Sequence, residues 1–537
     1  MGKKYVVFCV ILLTIFSSHV IFTASENVLV TNKACCDQPI MICSEDINKS
    51  KKGFVIKNPG HYIVCDNVIF KPSKKHKTQA AITIASSNVT LDLGGNALSY
   101  SLPRRKKSSA IVAGIMIESS AASVSIQNGS ITDFTGAGIL YQQNEGIQVS
   151  GVTILRTGVP SSYGGLQIND SSDIVIDNVI ALNNFGSGMY LHGVIKATVS
   201  NSHFDDNVGG NVAPQLFTGP GLVASGVYVD SSPNTETSDV LFQDCTFNRN
   251  SAGSDAGGME VGPYTLLPVR NITVLRCEFL DNFMTGELAE FNDASGLVLV
   301  FVTDYVIKDV VASGQRHPFP PGGLVITSGA TGISINACNN GVIENCQAFD
   351  NVGQGASSIG IRARGCNNLL VKNCEASANI NTGSGEAFGF YTDPEHYVFF
   401  PSLGTANIFK DCVAQQNSSV TGLAGGFKFA NLACSVMENC ISQSNAIGIV
   451  VTDYNSPNLA LNNIFKENIV QCNTVSGIND QLVTSNNAYI GNIARSNGPA
   501  GVTNYVRLPA GTPIAVWNLP GAFPVGASSF TNLDIRP

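Results

Sequence analysis

The sequence has few charged residues, a single tryptophan and no familiar catalytic signature. Lys, Arg, Asp and Glu make up only 13% of the 537 residues, and 44% are hydrophobic, a balance that excludes a disordered chain. After residue 22 no apolar run approaches the length of a membrane-spanning helix. A phosphate-binding loop, an HExxH motif, a nucleophile elbow and the cysteine spacing of a zinc site are also absent. Fold and function must therefore be sought in the longer pattern of the chain.

Residues 1–25 predict a secretory signal peptide. Two lysines precede the apolar run 5–22, which Ser17, Ser18 and His19 interrupt, and cleavage is expected near Ala24 or Ser25. A membrane anchor is the alternative, but the interruption favours a signal. We therefore expect a secreted or cell-surface protein with no transmembrane segment once the signal is removed.

Charge is distributed unevenly along the chain. Residues 1–107 carry 15 Lys and Arg against 6 Asp and Glu, whereas residues 108–537 carry 16 against 33. The basic runs 71–77 and 104–107 could bind a polyanion, but they lack interleaved aromatic residues, which favours solvated loops. The acidic body argues against nucleic acid as a partner and favours a neutral or mixed glycan over a polyanionic one.

Glycine-led repeats organise most of the sequence. Clear copies are residues 332–351, GISINACNNGVIENCQAFDN, and 360–379, GIRARGCNNLLVKNCEASAN. Each has a Gly-led strand, a polar turn, a second short strand, an Asn-Cys corner and a third strand that ends in Asn. The leading glycines recur about every 30 residues from Gly114 to Gly477, which indicates a solenoid. Short strands rich in Val and Ile, without helical periodicity, exclude the helical repeats.

This tandem pattern resembles the right-handed parallel β-helix proteins of the pectate lyase and polygalacturonase superfamily. One corner slot holds Asn or Asp, as the asparagine ladder of that family does, and its members are Asp244, Asn345, Asn373, Asp411 and Asn439. The resemblance implies an all-β, single-stranded, right-handed parallel β-helix of about 13–14 coils. We expect an N-terminal cap at 26–80, coils at 81–500 and a C-terminal cap, with Trp517, at 501–537.

The 15 cysteines form two main groups. Cys35, Cys36, Cys43 and Cys65 precede the repeats, where one or two disulfides are expected in an exported chain. Six others occupy one repeated corner slot, namely Cys245, Cys277, Cys346, Cys374, Cys412 and Cys440. A column spread along the solenoid axis does not converge on a metal ion, so we predict buried free thiols and no metal site there.

Insertions into the repeat mark a candidate site. They enter just before or just after the Gly-led strand, at 209–224, 231–238, 262–269, 281–295, 314–331 and 393–404. Both positions flank the same sheet, so the insertions would wall a lateral groove over its outward face.

Strand alternation selects the side chains on the floor of this groove, since the second and fourth residues after each glycine point outward. The substrate-binding residues predicted in this way are Tyr190, His192, Tyr228, Asp230, Arg362, Arg364, Tyr391, Asp393 and Lys428. Aromatic rings offer flat apolar faces to sugars, and carboxylates accept hydrogen bonds from hydroxyl groups. A long solvated face of this kind favours polysaccharide binding, although an ordinary polar sheet face is the alternative.

Three acidic residues are the predicted catalytic groups. Asp255 and Asp293 each stand three residues before a leading glycine on consecutive coils, and Glu260 rises from the same coil as Asp255. Neighbouring strands lie about 4.8 Å apart, a spacing that suits the paired carboxylates of a glycosidase. The alternative is that both aspartates cap turns beside glycines.

Polygalacturonases and pectate lyases, the two enzyme groups of the superfamily that this chain resembles, imply different catalytic groups. Polygalacturonases share the motifs Asn-Thr-Asp, Asp-Asp, His-Gly and Arg-Ile-Lys, in that order. This chain has Asp205-Asp206, and Arg362-Ala363-Arg364 stands where Arg-Ile-Lys would be. It has no Asn-Thr-Asp, and its His192-Gly193 comes before the Asp pair. A pectate-lyase-like mechanism would need Ca²⁺ held by carboxylates and an Arg or Lys base. Apart from Ca²⁺ in a lyase, no cofactor is expected.

We therefore expect a secreted parallel β-helix that binds an extracellular polysaccharide in a lateral groove. If the protein is an enzyme, it is a glycoside hydrolase or a polysaccharide lyase. The alternative is a non-catalytic surface or adhesion protein whose helix serves as a rigid rod. The sequence predicts no particular oligomeric state.

Overall fold

The computed structural model describes residues 38–49, 53–72, 80–101, 111–158, 164–209, 224–252, 256–263, 267–284, 294–318, 329–354, 357–393, 404–452, 462–482, 487–497, 504–506, 516–520 and 532–536. The chain divides into two compact units, residues 1–38 and 39–537. All of the described residues except Gln38 belong to the second unit.

The second unit is a right-handed parallel β-helix, as predicted. Its strands pair in parallel with strands of the preceding and following coils, for example Ser334 with Arg362 and Arg362 with Tyr391. The first sheet contains the strands Phe54–Ile56, Ala80–Ile84, Ala113–Ile117, Ile139–Gln142, Leu166–Asp177, Met189–Ser200, Ala224–Asp230, Ala256–Val261, Ala294–Val300, Gly329–Asn336, Ser357–Arg364, Ala387–Asp393, Ala424–Ala430, Ile447–Thr452, Ser476–Asp480 and Tyr505–Val506.

The second sheet follows the first around each coil. Two strands of the first sheet, Leu166–Asp177 and Met189–Ser200, continue into it through their C-terminal halves. Its other strands are Ile40–Ile42, Gly60–Val64, Val89–Asp92, Val124–Thr132, Glu145–Leu155, Thr237–Gln243, Val269–Leu275, Val302–Lys308, Asn339–Glu344, Asn367–Lys372, Gly404–Thr405, Ile408–Lys410, Leu432–Ala433, Val436–Glu438, Ile464–Lys466 and Ala488–Ile490.

The third sheet completes each coil and receives the C-terminal halves of Val124–Thr132 and Glu145–Leu155. Its own strands are Val68–Phe70, Ala97–Tyr100, Ile180–Leu182, Glu278–Leu280, Val311–Ser313, Gln347–Phe349, Glu375–Ser377, Val413–Gln415, Ile441–Gln443, Ile469–Gln471, Ile493–Arg495, Val516–Pro520 and Asn532–Arg536. A short fourth ladder, between the third and first sheets, contains Ser251–Ala252, Phe283–Met284, Arg316–His317, Val352–Gly353, Ile380–Asn381 and Ser418–Ser419.

Alternation of side chains builds the core between the sheets. In Asn367–Lys372, Leu369 and Val371 are buried while Leu370 is half-buried, which is the period of a strand with one covered face. The corner between the second and third sheets needs a left-handed backbone, and Asn345 and Asn373 supply it with φ values of 56° and 52°. The Asn373 amide donates to Asn345 Oδ1 at 3.3 Å, so the predicted stacking is confirmed there, at an exposed corner.

Parallel pairing begins earlier than the predicted coil boundary. Ile40–Ile42 and Phe54–Ile56, which lie in the segment expected to form a cap, already pair with strands of the next coil. The six-residue helix Ser44–Lys49 follows the first of these strands. Within the described residues no helix is long and apolar enough to cross a membrane.

The cysteines whose state the sequence predicts agree with that prediction wherever they are described. Cys43 and Cys65 form a disulfide, while Cys35 and Cys36 lie outside the described residues. The six cysteines of the corner slot are free and buried, which confirms the column of thiols. They pack in the apolar interior, where the third sheet begins.

Candidate functional site

The predicted groove floor forms one continuous row on the outward face of the first sheet. Each member stands in register with the next one, from coil to coil, in the order Tyr190, Tyr228, Glu260, Val298, Ser334, Arg362, Tyr391 and Lys428. We call this set the outer row. Beside it, nearer the turn to the second sheet, His192 pairs with Asp230, and Arg364 pairs with Asp393. Alternation along the strands therefore identified the neighbours correctly.

The expectation that this face is solvated is wrong for most of its members. Seven of the nine predicted substrate-binding residues are buried, namely Tyr190, Tyr228, Asp230, Arg362, Tyr391, Asp393 and Lys428. His192 and Arg364 are half-buried. The physical reason is that charged and aromatic groups on adjacent coils pair and stack with one another, which offsets the cost of removing them from water.

The first of two polar clusters surrounds His192. Its Nδ1 lies 2.5 Å from Asp230 Oδ1 and 2.9 Å from the Tyr190 hydroxyl oxygen. The Tyr190 hydroxyl donates to Asp230 Oδ2 at 3.2 Å. The Tyr190 ring stacks against Tyr228 on the next coil, with 5.5 Å between ring centroids. Both contacts engage Nδ1, and within the described residues the other ring nitrogen, Nε2, forms no hydrogen bond. The His192 side chain is 24% exposed, whereas Asp230 is 1% exposed.

Burial and charge set the protonation of this cluster. Burial raises the pKa of Asp230, and the hydrogen bonds from His192 and Tyr190 only partly offset this rise. Burial alone would lower the pKa of His192, but the hydrogen bond and charge of Asp230 outweigh it and raise that pKa above its ordinary value. His192 is thus a titratable group whose pKa is raised and whose ring is oriented by Asp230.

The second cluster is cationic and lies farther along the same face. Arg362 and Arg364 both donate to Asp393 Oδ2, at 2.8 and 3.2 Å. Lys428 donates to both carboxylate oxygens of Glu386, at 2.7 and 2.6 Å, and stands 4.6 Å from the ring centroid of Tyr391. The carboxylates of Asp393 and Glu386 largely neutralise the positive charges of this cluster. The cluster therefore contributes more to the order of the face than to a positive surface charge.

Between the two clusters the outward face is less covered around Glu260 and Val298, whereas Ser334 is fully buried. Glu260, Val298 and Val300 are half-buried. The neighbouring hydroxyls of Ser295 and Thr331 are fully buried and have no hydrogen-bond partner within the described ranges. Glu260 is thus the one predicted catalytic residue that the structure places, in register between Tyr228 and Val298.

Asp255 and Asp293 lie outside the described residues, so their predicted convergence with Glu260 stays a prediction. The same is true of most of the insertion at 393–404 and of the central parts of 209–224, 281–295 and 314–331. In the described ranges one group of three potential metal ligands converges, Cys43, Cys65 and Asp66, and its two thiols are joined in the disulfide.

The Asp205-Asp206 pair, which matches the Asp-Asp motif of polygalacturonases, binds residues of the next coil in this chain. Asp205 accepts hydrogen bonds from the Thr246 hydroxyl and the backbone of Asn248. Asp206 forms a two-point ion pair with Arg249, at 2.8 and 2.7 Å. Both aspartates follow the third-sheet position of their coil, not a strand of the first sheet, and their partners stand on the next coil. They join neighbouring coils.

Sequence reasoning missed two members of the site. Glu386 directly precedes a strand of the first sheet and binds Lys428, which is 42 residues away. Asp170 follows the first-sheet segment of its strand and accepts a hydrogen bond from Ser232, 62 residues away. Neither occupies an alternating outward position, so the period-2 pattern could not select them.

The comparisons with known proteins bear on the fold. The Dettilon tailspike protein gp208 is 12% identical with a TM-score of 0.37, and the match covers 77% of this chain and 62% of the tailspike. The A-module of the Azotobacter vinelandii mannuronan C-5 epimerase AlgE4 is 14% identical with a TM-score of 0.40, over 71% of this chain and 91% of the module. PfbA, a surface adhesin of Streptococcus pneumoniae, is 12% identical with a TM-score of 0.31, over 77% of this chain and 83% of PfbA.

This chain spans less than two thirds of the tailspike, and each of these TM-scores is low, so no activity or ligand is inferred from them. Comparison with curated protein sequences gives no match. The model of the right-handed β-helix region matches residues 52–221, 113–293 and 221–464, which together exceed half of the chain. The chain therefore belongs to the right-handed β-helix region family.

Proposed function

We propose that this protein binds an extracellular polysaccharide on the outward face of the first sheet and cleaves it by proton transfer through His192. The observation that carries the proposal is the His192–Asp230 contact of 2.5 Å, in which a half-buried imidazole is held by a buried carboxylate. An imidazole oriented in this way can accept or donate a proton at Nε2. The proposed ligand is a sugar chain because the half-buried carboxylate of Glu260 on the same face can accept hydrogen bonds from sugar hydroxyl groups, and Val298 beside it offers an apolar contact.

Glu260 is the second group in this proposal. It stands two steps along the sheet from Tyr190, a separation of about 10 Å at the spacing of parallel strands. A carboxylate at that distance can accept sugar hydroxyls or share acid–base work across one or two sugar units. Asp255 and Asp293 remain proposed partners of Glu260, and Ca²⁺ remains a proposed requirement only if the cleavage is an elimination.

The test is a screen of the secreted protein against neutral and acidic polysaccharides, with and without Ca²⁺. New reducing ends report any cleavage, and ultraviolet absorbance of an unsaturated product reports elimination alone. We expect His192→Gln to abolish turnover while glycan binding persists. His203→Gln is the matched control, because His203 is an exposed third-sheet histidine whose Nδ1 bonds to Thr246. It should retain full activity.

The outcomes separate the two function classes. Turnover that survives His192→Gln would show that the proton passes through another group. Binding without turnover in the unmodified protein would establish the non-catalytic surface or adhesion protein instead. Failure to bind any glycan would remove the polysaccharide proposal.

A further inference from the structure

A second feature lies at the edge of the first sheet, where successive strands turn toward the second sheet. An open cavity of about 400 Å³ follows these turns. Its lining includes Ser119, Glu145, Asp170, Ile195 and Thr235. These residues come from five consecutive coils, so the cavity extends along the solenoid axis for about 19 Å at four strand spacings.

The cavity adjoins the His192 cluster. Asp170, in its lining, accepts a hydrogen bond from the Ser232 hydroxyl, and Ser232 follows Asp230 by two residues. Gly193, directly after His192, packs so closely that a Cβ atom there would lie 2.8 Å from Asp170 Oδ1. Asp170 therefore borders both the cavity and the turn that follows His192.

The chemistry of the lining favours sugar hydroxyl groups. Gln143 and Asn144 supply amides that can donate and accept hydrogen bonds, and Glu145 and Asp170 supply carboxylates. Within the described part of the chain, neither the Glu145 carboxylate nor Asp170 Oδ2 forms a hydrogen bond. The lining holds the carboxylates of Glu145 and Asp170 and no Lys or Arg, so like-charge repulsion disfavours a sugar that carries a carboxylate.

We propose that this cavity is a subsite for an uncharged sugar unit, located beside the unit that His192 acts on. The inference deepens the proposed function and rests on it. It also places the bound polysaccharide in one orientation along the face. The neutral sugar unit lies over the coils that precede His192, and the remainder of the polysaccharide extends toward Glu260 and the cationic cluster.

The test compares saccharide binding by calorimetry in a His192→Gln background, in which the probes are not cleaved. The probes are cellohexaose, mannohexaose, xylohexaose and hexagalacturonate. Ser119→Trp places an indole in the cavity from an exposed turn, and we expect it to weaken binding of the preferred neutral hexasaccharide by about tenfold or more. Ser418→Trp, at an exposed position on the fourth ladder, is the matched control and should change binding less than about twofold.

Glu145→Gln provides a second test that adds no bulk. Glu145 is exposed, so the variant should fold normally while it loses a charged acceptor for sugar hydroxyls. We expect weaker binding of the neutral hexasaccharide by about threefold or more and a relative gain for hexagalacturonate.

The results distinguish the two proposals. If Ser119→Trp and Glu145→Gln both bind like the parent, the subsite is wrong, while turnover that depends on His192 would still support the proposed function. Tighter binding of hexagalacturonate than of every neutral probe, lost in Ser119→Trp, would also overturn the subsite. If the parent binds none of the probes or the screened polysaccharides, both proposals fail.

Discussion

At the scale of the residue, burial decides what the ionic groups of the outward face can do. Asp230 and Asp393 occupy equivalent outward positions on different coils, but their partners differ. Asp230 holds a half-buried histidine, whereas Asp393 holds two arginines. The first arrangement keeps a titratable group beside solvent, and the second binds its charges to one another.

The Asp230→Asn variant should lower the pKa of His192 from above its ordinary value to below it. Burial disfavours the charged imidazole, and only the hydrogen bond and charge of Asp230, with a smaller effect of Asp170, reverse that penalty. Histidine titration by NMR, assigned with His192→Gln, measures this change. A His192 pKa that stays raised in Asp230→Asn would contradict the role assigned to Asp230.

The same pair predicts a pH dependence of stability. Because the folded-state pKa of His192 is raised, its stabilising contribution is complete below the unfolded-state value of about 6.5 and is lost as pH rises through the folded-state pKa. We expect the difference in unfolding free energy between the parent and His192→Gln to shrink across that window. Urea denaturation at a series of pH values measures it, and a difference that grows with pH would have the wrong sign.

Removing Arg362 tests the buried pair. Arg362 and Asp393 are 3% and 4% exposed, and Asp393 would keep its contact with Arg364. We expect Arg362→Met to destabilise the protein by about 3 kcal/mol, because a buried carboxylate loses one of its partners. Arg249→Met, which removes the exposed partner of Asp206, is the control and should cost less than about 1 kcal/mol. Equal losses in urea denaturation would show that the burial of the pair is unimportant.

At the scale of the element, the third strand of each coil ends in a residue that joins coil to coil. Asn379 donates from its side chain to Asn417 Oδ1 at 2.8 Å, and Asn417 donates to Asn445 Oδ1 at 3.0 Å. All three are buried. This ladder is distinct from the exposed corner of Asn345 and Asn373, and the repeated terminal Asn of the sequence pattern is its signal. Stacked amides satisfy the hydrogen-bonding groups of each other and of the backbone where these groups are buried.

Close approach between neighbouring strands of the second sheet predicts a steric effect. A Cβ atom at Gly341 would lie 1.9 Å from Cζ of Tyr305, a buried ring on the preceding coil. Gly341→Ala should therefore destabilise the protein by about 1–3 kcal/mol. Gly257→Ala is the control, since its nearest atom, the Ser295 carbonyl oxygen, would be 3.7 Å away.

A double variant identifies the cause. Tyr305→Leu removes the ring, so adding Gly341→Ala to it should cost clearly less than Gly341→Ala alone. Full additivity of the two changes in urea denaturation would show that the ring is not what excludes the methyl group.

At the scale of the whole molecule, the solenoid divides its thiols into two populations. Cys434 and Cys472 are exposed, whereas the corner column and the two cysteines Cys338 and Cys366 are buried. A folded solenoid therefore shields eight thiols in its interior and leaves two at its surface among the described free cysteines.

Alkylation of the native protein should modify Cys434 and Cys472 rapidly and leave the buried thiols unmodified until urea unfolds the coils. Peptide mass spectrometry after timed reaction measures each site separately. Reaction of the corner column as fast as Cys434 in native buffer would contradict a closed core. The Cys43–Cys65 disulfide should remain unreactive unless it is reduced.

The sequence by itself determined the parallel β-helix and most of its registers. Glycine spacing, Asn-Cys corners and period-2 alternation are local features, and each coil repeats them, so they suffice to place Tyr190 beside Tyr228 and Arg362 beside Tyr391. They also located the column of buried thiols.

Only the tertiary structure decided burial and partner choice on the outward face. Lys428 binds Glu386 and His192 binds Asp230 across 42 and 38 residues, because the partner lies on another coil and insertions of unequal length set the separation along the chain. Strand alternation predicts which way a side chain points. It does not predict whether a group of opposite charge lies beside that side chain in the folded protein. For that reason the sequence predicted a solvated face, and the fold produced two paired clusters with a less covered stretch between them.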